Sequence, residues 1–306
     1  MKNGTEHDMT QGAVAVPLIG FTIPLVLGNF FQLFYNAADS IIVGRYVGER
    51  ALAAVGTSTP VMNLVILLIS GLCMGASILM SSQFGAGNYE QLSRQISTTL
   101  LSGCGFSIGF SVLTILVSEP LLRLIQVPKE VMPDALAYLR IIFIGILFTF
   151  IYNFLANTLR ALGDSKTPLY FLIGSSIGNI LLDTLFVAVF HWGVAGVAWA
   201  TFLAQGAACV LALMTLAQRL KRVQTTEKYE LFSGDMLKRI SRIAVPSILQ
   251  QSFISVGNIF IQSLVNSFGS SVIAGYSAAI KLNTFTITCF TTMGNGVSSF
   301  TAQNLG

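Results

Sequence analysis

The sequence has 306 residues, of which 53% are hydrophobic and only 10% are charged, and its formal net charge is +4. Soluble domains carry about 25% charged residues, so this composition excludes a water-soluble globule, a disordered chain, a disulfide scaffold and a coiled coil. With a mean hydropathy of +0.73, the chain is predicted to be an all-α polytopic membrane protein, because apolar runs cross a bilayer as helices that satisfy their own backbone.

Apolar stretches bounded by charges or by Gly, Pro and Asn predict about eight transmembrane helices. In chain order they cover residues 14–43, 52–81, 96–118, 135–160, 168–190, 194–217, 243–267 and 271–302. With the amino terminus in the cytoplasm, inner segments hold eleven Lys and Arg residues and outer segments five. This bias predicts a multi-pass protein of the cell (inner) membrane with both ends of the chain cytoplasmic. The sparse basic residues lie beside apolar runs, so no nucleic-acid partner is expected.

The sequence begins to repeat itself after its longest polar stretch. At a shift of 222, Pro24 and Phe31 match Pro246 and Phe253. A unit of six spans returns the chain to its starting side, so a second copy is predicted to run parallel to the first.

This repeat predicts three parts. They are an amino-terminal six-helix lobe at residues 1–217, a cytoplasmic linker at 218–242, and a partial carboxyl-terminal lobe of two helices at 243–306. The second copy is therefore expected to be truncated.

Two acidic residues, Asp39 and Asp183, lie inside predicted spans, whereas the other eleven lie in loops or termini. A carboxylate within a span costs roughly 2.5–3.5 kcal/mol to insert, so both are predicted to be functional groups that face the bundle interior. The alternative is that each lies near a helix end and reaches headgroup water. Polar neighbours on the same helix faces are Gln32, Tyr35 and Asn36 for the first acid and Asn179 for the second.

Thr201, in the following span, lies at a depth similar to that of Asp183, so Asp39, Asn179, Asp183 and Thr201 are predicted to form one cluster. Carboxylate, amide and hydroxyl oxygens suit a small hard cation, and a poorly solvated carboxyl can hold a proton. The cluster is predicted to bind the coupling ion, H⁺ or Na⁺; no cofactor and no other metal is expected. Interhelical hydrogen bonding is the alternative for Asn179 and Thr201.

Three further residues of the spans are singled out by their chemistry. Pro24 removes a backbone hydrogen bond within the first helix and is predicted to bend it, either as a hinge or as a static bend. Asn153 and Asn157, one turn apart on the fourth span, either line a polar cavity or bond neighbouring helices.

Three pairs of glycines have the four-residue spacing of close helix contacts in membranes. They are Gly71 with Gly75, Gly105 with Gly109, and Gly174 with Gly178. All three are predicted to be packing sites.

Three stretches together resemble the multidrug and toxic compound extrusion (MATE) family. They are RALGDSKTP at residues 160–168, GNILLD at 178–183 and GVAGVAWAT at 193–201. The first helix, with Pro24 and Asp39, is similar to that family as well. The resemblance extends over nearly the whole chain.

The resemblance implies a twelve-helix, two-lobed antiporter that exports amphipathic, often cationic small molecules in exchange for H⁺ or Na⁺ by alternating access. In the prokaryotic branch with an amino-lobe cation site, the matching cation residues would be Asp39, Asn179, Asp183 and Thr201. Pro24 would match the bend of the first helix. The implied substrate cavity contains Gln32, Tyr35, Asn36, Asn153 and Asn157. Against this pattern, four helices of the second lobe are missing.

Other functions are also compatible with a membrane protein. A lipid-linked saccharide flippase of related architecture would need a cavity rich in cationic residues, which the predicted spans do not show. An intramembrane aspartyl protease could use two aspartates as acid and base, but neither acid follows the Gly-x-Gly sequence expected of that family. The chain is therefore predicted not to be an enzyme. A purely structural scaffold would leave the acids in the spans unexplained.

Overall fold

The computed structural model describes residues 14–125, 127–222, 231–266 and 270–305. These residues fold as nine α-helices and one π-helix, with no strand among them. In chain order the elements are α1 (Ala15–Tyr46), α2 (Glu49–Gly85), α3 (Tyr89–Leu124), α4 (Met132–Ile144), α5 (Ile146–Ala161), α6 (Lys166–Asp183), the π-helix Thr184–Val189, α7 (Gly193–Arg222), α8 (Gly234–Asn266) and α9 (Ser270–Leu305). The all-α prediction is confirmed.

Five stretches of the described helices are long and apolar enough to cross a bilayer, and the bent pair α4 and α5 makes a sixth. These six correspond to the first six predicted spans. The helices α8 and α9 contain 33 and 36 residues. Their assignment as two further spans stays a prediction.

The fourth predicted span, 135–160, is two helices that meet at Gly145 with a bend of 49°. Phe202 of α7 packs against this point, where a Cβ on the glycine would lie 3.2 Å from its ring. Glycine therefore permits both the interrupted helix and the close approach of α7.

The predicted linker, residues 218–242, is helical at both of its ends. The helix α7 continues to Arg222 and α8 begins at Gly234, while residues 223–230 lie outside the described part of the chain. Met236 and Ile240, one turn apart, are buried in the core, and the backbone N–H of Ser233 donates to Thr98 Oγ1 at 3.2 Å. Basic residues occupy the rest of this turn, so its short apolar face was not recognised in the sequence. The division into lobes stays a prediction.

The helix α2 lies at the centre of the six spans formed by α1–α7, and it also packs against α8. Gly71 and Gly75 face α8, where a Cβ on Gly75 would lie 2.7 Å from the Cα of Ala244. This pair is therefore a close helix contact, as predicted.

The two other glycine pairs do not pack in this way. A Cβ on Gly105, Gly109, Gly174 or Gly178 would meet no atom of the described residues within 4 Å. For these pairs the predicted contact is wrong, because four-residue spacing specifies a helix face but not the presence of a neighbour on that face.

Candidate cation site and its two cavities

Asp39 of α1 and Asp183 at the end of α6 meet in the interior, where their carboxyl groups lie next to each other. Asp183 is fully buried and Asp39 is half-buried. Each carboxyl has one buried oxygen, Oδ1, that has no hydrogen-bond partner among the described residues. The two helices therefore bring together two carboxyl groups with unused acceptor capacity.

Asn179 connects the acids to two neighbouring helices. Its amide is oriented by its partners: the nitrogen donates to Asp183 Oδ2 at 2.9 Å and to Tyr35 Oη at 3.0 Å, and the oxygen accepts from the backbone N–H of Thr201 at 3.0 Å. The Tyr35 hydroxyl also lies close to the Thr201 side chain. The structure thus brings together all four residues predicted for the cation cluster, and their role in binding a cation stays a prediction.

Tyr138 of α4 is a neighbour that the sequence reasoning missed. It is buried and lies close enough to interact electrostatically with both acids and with Tyr35. Its position within an apolar, buried helix face gave no separate signal, because tyrosine is common on such faces.

The backbone changes conformation directly after Asp183. There α6 passes into the π-helix Thr184–Val189, within which the N–H of Phe190 donates to the carbonyl of Leu185 at 3.0 Å. The predicted span at 168–190 is confirmed as one membrane-length stretch, Lys166–Val189, whose last turns are π-helical. π-Helical turns are rare and occur often at functional sites.

Aromatic rings and a tight turn close this end of the cluster. The rings of Phe186 and Trp192 are 4.8 Å apart, and Phe190 contacts both. His191 and Gly193 adopt positive φ values of 56° and 59°, which is uncommon for a non-glycine residue. The turn reverses the chain so that α7 returns beside α6 and places Thr201 at Asn179.

A cavity of about 480 Å³ lies next to the acid pair, between α1, α5, α6 and α7. Its lining contains Asn179 and Thr201 of the cluster together with four residues that were predicted as cavity residues, Gln32, Tyr35, Asn36 and Asn153. Gln32 Nε2 donates to Asn36 Oδ1 at 3.5 Å.

Asn157, also predicted as a cavity residue, lies in a second cavity of about 230 Å³ between α1, α2, α5 and α9. Asn153 lines both cavities. The amide nitrogens of Asn153 and Asn157 donate to the carbonyls of Thr149 and Asn153, both at 2.8 Å. These bonds are to their own helix, so neither amide nitrogen is shown bonding a neighbouring helix.

Pro24 is buried within α1, which continues as a helix on both sides of it. Proline has no N–H, so the carbonyl of Gly20 receives no helical bond from this position. Its role as a bend stays a prediction.

The MatE family model matches residues 24–185 and 246–306, which is most of the chain. The chain belongs to the MatE family. The two matched stretches begin at Pro24 and Pro246, the pair that the internal repeat had aligned. The MatE match therefore supports the predicted repeat.

Individual MatE relatives extend the match to nearly the whole chain. The probable multidrug resistance proteins YpnP and YoeA of Bacillus subtilis (strain 168) are 35% and 31% identical to it over 98% and 94% of its length. The chain spans 67% of the first and 63% of the second.

The fold is similar to a solved structure titled as the outward-facing conformation of a multidrug resistance MATE family transporter of the MOP superfamily. The TM-score is 0.89 at 25% identity, covering 98% of this chain and 67% of that one. MatE proteins are multi-pass membrane transporters rather than enzymes, and this assignment favours neither the protease nor the flippase alternative.

Proposed function

We propose that this protein is an antiporter of the cell (inner) membrane that exports amphipathic, cationic small molecules in exchange for H⁺ or Na⁺ by alternating access. The observation that supports it best is the contact between the carboxyl groups of Asp39 and Asp183. Oxygen atoms of two ionised carboxylates repel each other, and a proton shared between the two groups would remove that repulsion. A Na⁺ ion between them would neutralise the same repulsion.

The position of the acids gives a route from ion binding to movement. Asp39 belongs to α1 and Asp183 to α6, so the loaded pair holds the two helices together. Release of the ion leaves two negative charges side by side in a medium of low dielectric, which favours separation of α1 from α6. Pro24 provides a point at which α1 can bend in response.

The larger cavity supports the substrate class of the proposal. Its polar lining includes two residues of the cation cluster, Asn179 and Thr201, so the negative charge of an unloaded acid pair would favour a cationic compound there and a loaded pair would not. Exchange of substrate against the coupling ion follows from this competition. Both ends of the chain are proposed to be cytoplasmic, on the excess of basic residues in the inner segments.

Reconstitution of the whole chain in sealed vesicles tests the proposal. Efflux of ethidium, an amphipathic cation, is followed under a pH gradient and separately under a Na⁺ gradient, which identifies the coupling ion. We expect Asp39→Asn and Asp183→Asn each to abolish gradient-driven efflux. Asp134→Asn, which changes an acid of α4 paired with Arg50 at 2.9 Å, should retain it.

A binding measurement gives an answer that does not depend on turnover. Addition of Na⁺ to the purified protein should displace protons from the acid pair, and a pH indicator would record their release. Gradient-driven efflux retained in both Asp39→Asn and Asp183→Asn would contradict the assigned roles.

A further inference from the structure

The smaller cavity has a chemical character different from that of the acid cluster. Five of its fifteen lining residues are apolar or glycine, nine are neutral and polar, and one is charged. The charged residue is Arg160, near the end of α5. No acid lines this cavity among the described residues.

Arg160 is half-buried and has no acidic neighbour that would neutralise it within the described part of the chain. Its Nε is buried without a hydrogen-bond partner. A guanidinium carries five N–H donors, and a buried polar group without a partner is costly. The side chain therefore has unused donors at the edge of a polar cavity.

The nearest acid in sequence is committed elsewhere. Asp164 accepts from the backbone N–H groups of Lys166 and Thr167 at 3.1 and 3.0 Å, and from the Thr167 hydroxyl at 2.5 Å. These bonds satisfy backbone N–H groups at the start of α6. Its carboxylate consequently serves the start of that helix.

The rest of the lining is arranged like a binding pocket for one amphipathic molecule. Asn153, Asn157 and Arg160 follow steps of four and three residues, so they share one face of α5. From α9 the wall receives hydroxyl and amide groups, and from α1 and α2 it receives apolar groups together with the polar side chains of Asn29, Ser70 and Ser77. The residues that supply these groups are Thr292, Asn295, Ser298 and Ser299 on the polar side and Phe21, Leu25, Met74 and Ile78 on the apolar side.

We propose that this cavity binds the acidic group of an amphipathic organic anion, a carboxylate or a phosphate, with Arg160 as its counter-ion. Guanidinium groups bind these anions through two parallel hydrogen bonds. Neighbouring amides and hydroxyls supply further donors, and the apolar wall receives the body of the molecule. This inference rests on the proposed function, because it adds an anion subsite to the transport pathway.

The test is binding of radiolabelled decyl phosphate to the whole chain in phosphatidylcholine nanodiscs, with empty nanodiscs subtracted. Arg160→Gln should weaken binding by about tenfold or more, since a hydrogen bond to a charged group contributes at least that much affinity. Arg160→Lys keeps the positive charge but not the planar guanidinium. Its affinity for decyl phosphate should lie between those of the unmodified protein and Arg160→Gln. Arg140→Gln, which changes an exposed arginine of α4, should bind like the unmodified protein.

A second variant keeps the inference testable if Arg160→Gln fails to fold. Asn157→Asp leaves the arginine in place and adds a negative charge to the lining, so decyl phosphate should bind more weakly while decyltrimethylammonium does not. Equal binding of decyl phosphate to the unmodified protein, Arg160→Gln and Asn157→Asp would overturn the proposal.

Two further arms separate the sources of the anion and the two proposals. Phosphatidylglycerol in the nanodisc should compete with decyl phosphate if the occupant is a lipid headgroup, and should not if it is a free anion. Absence of ion-driven ethidium efflux with Arg160-dependent anion binding would defeat the proposed function alone. The reverse pattern would defeat only the anion site.

Discussion

Gln303 of α9 donates through Nε2 to the backbone carbonyl of Ala161 at 2.6 Å, which joins the second repeat to the end of α5. The glutamine is buried, and its backbone lies so close to Gly85 of α2 that a Cβ there would overlap it. One residue of α9 therefore contacts two other helices, α2 and α5.

Gln303→Leu should reduce stability, because it removes the donor and leaves the Ala161 carbonyl buried without it. The expected cost is about 1–3 kcal/mol, seen as a lower midpoint of thermal unfolding in detergent. Thr301→Ala, at an exposed position of the same helix, should leave the midpoint unchanged. Equal midpoints for Gln303→Leu and the unmodified protein would show that this contact contributes no stability.

Gly75→Ala should weaken the packing of α8 on α2, because the added methyl would lie 2.7 Å from the Cα of Ala244. Overpacking of this kind costs about 1–3 kcal/mol, measured as a loss of thermal stability. The matched control is Gly105→Ala, where the methyl meets no described atom within 4 Å and alanine improves helix propensity by about 1 kcal/mol. Opposite shifts of the two midpoints are expected; the same shift in both would contradict the packing argument.

Tyr35→Phe should weaken ion binding without removing a carboxyl group. The hydroxyl accepts from Asn179 at 3.0 Å and lies close to the Thr201 side chain, so its loss frees the Asn179 amide and removes a polar neighbour of Thr201. Residues that orient ligands in this way typically contribute 10- to 100-fold in affinity for metal ions, and we expect at least about tenfold here. The measurement is the Na⁺ concentration, or the pH, at half-maximal efflux. Tyr170→Phe, at an exposed site on α6, should leave it unchanged.

Pro24→Ala should raise thermal stability and lower the rate of efflux. The new N–H can donate to the Gly20 carbonyl and stiffen α1. The conformation with a straight first helix therefore becomes more stable relative to the bent one. Pro120→Ala changes a proline inside α3 and should stabilise the protein without slowing efflux. Full efflux activity in Pro24→Ala would exclude a hinge at this position.

The arrangement of the acid cluster follows closely from helix periodicity. Tyr35 and Asp39 share one face of α1, and Asn179 precedes Asp183 by one turn, so each helix could be oriented from its sequence alone. Thr201 was placed by counting the rise from the turn between two spans. Such arguments succeed because an ionisable side chain within a membrane span almost always faces the bundle interior or a water-filled cavity.

Other features depend on contacts that periodicity does not encode. The residues of the π-helix Thr184–Val189 are apolar apart from Thr184 and would fit an α-helix equally well, and the bend at Gly145 lies against the ring of Phe202 from a distant helix. Arg160 was counted only as a basic residue that orients the membrane. Its spacing from Asn153 and Asn157 was the signal that would have placed it on a cavity face.

Asn29 lines both cavities and donates to Thr292 Oγ1 of α9 at 2.5 Å, and Asn153 lines both cavities from the opposite helix. The two compartments therefore have a common wall that is only one side chain thick. A turn of α1 that widens one compartment must reshape the other in the same movement. A displacement of Asn29 or Asn153 therefore changes the lining of both compartments at once.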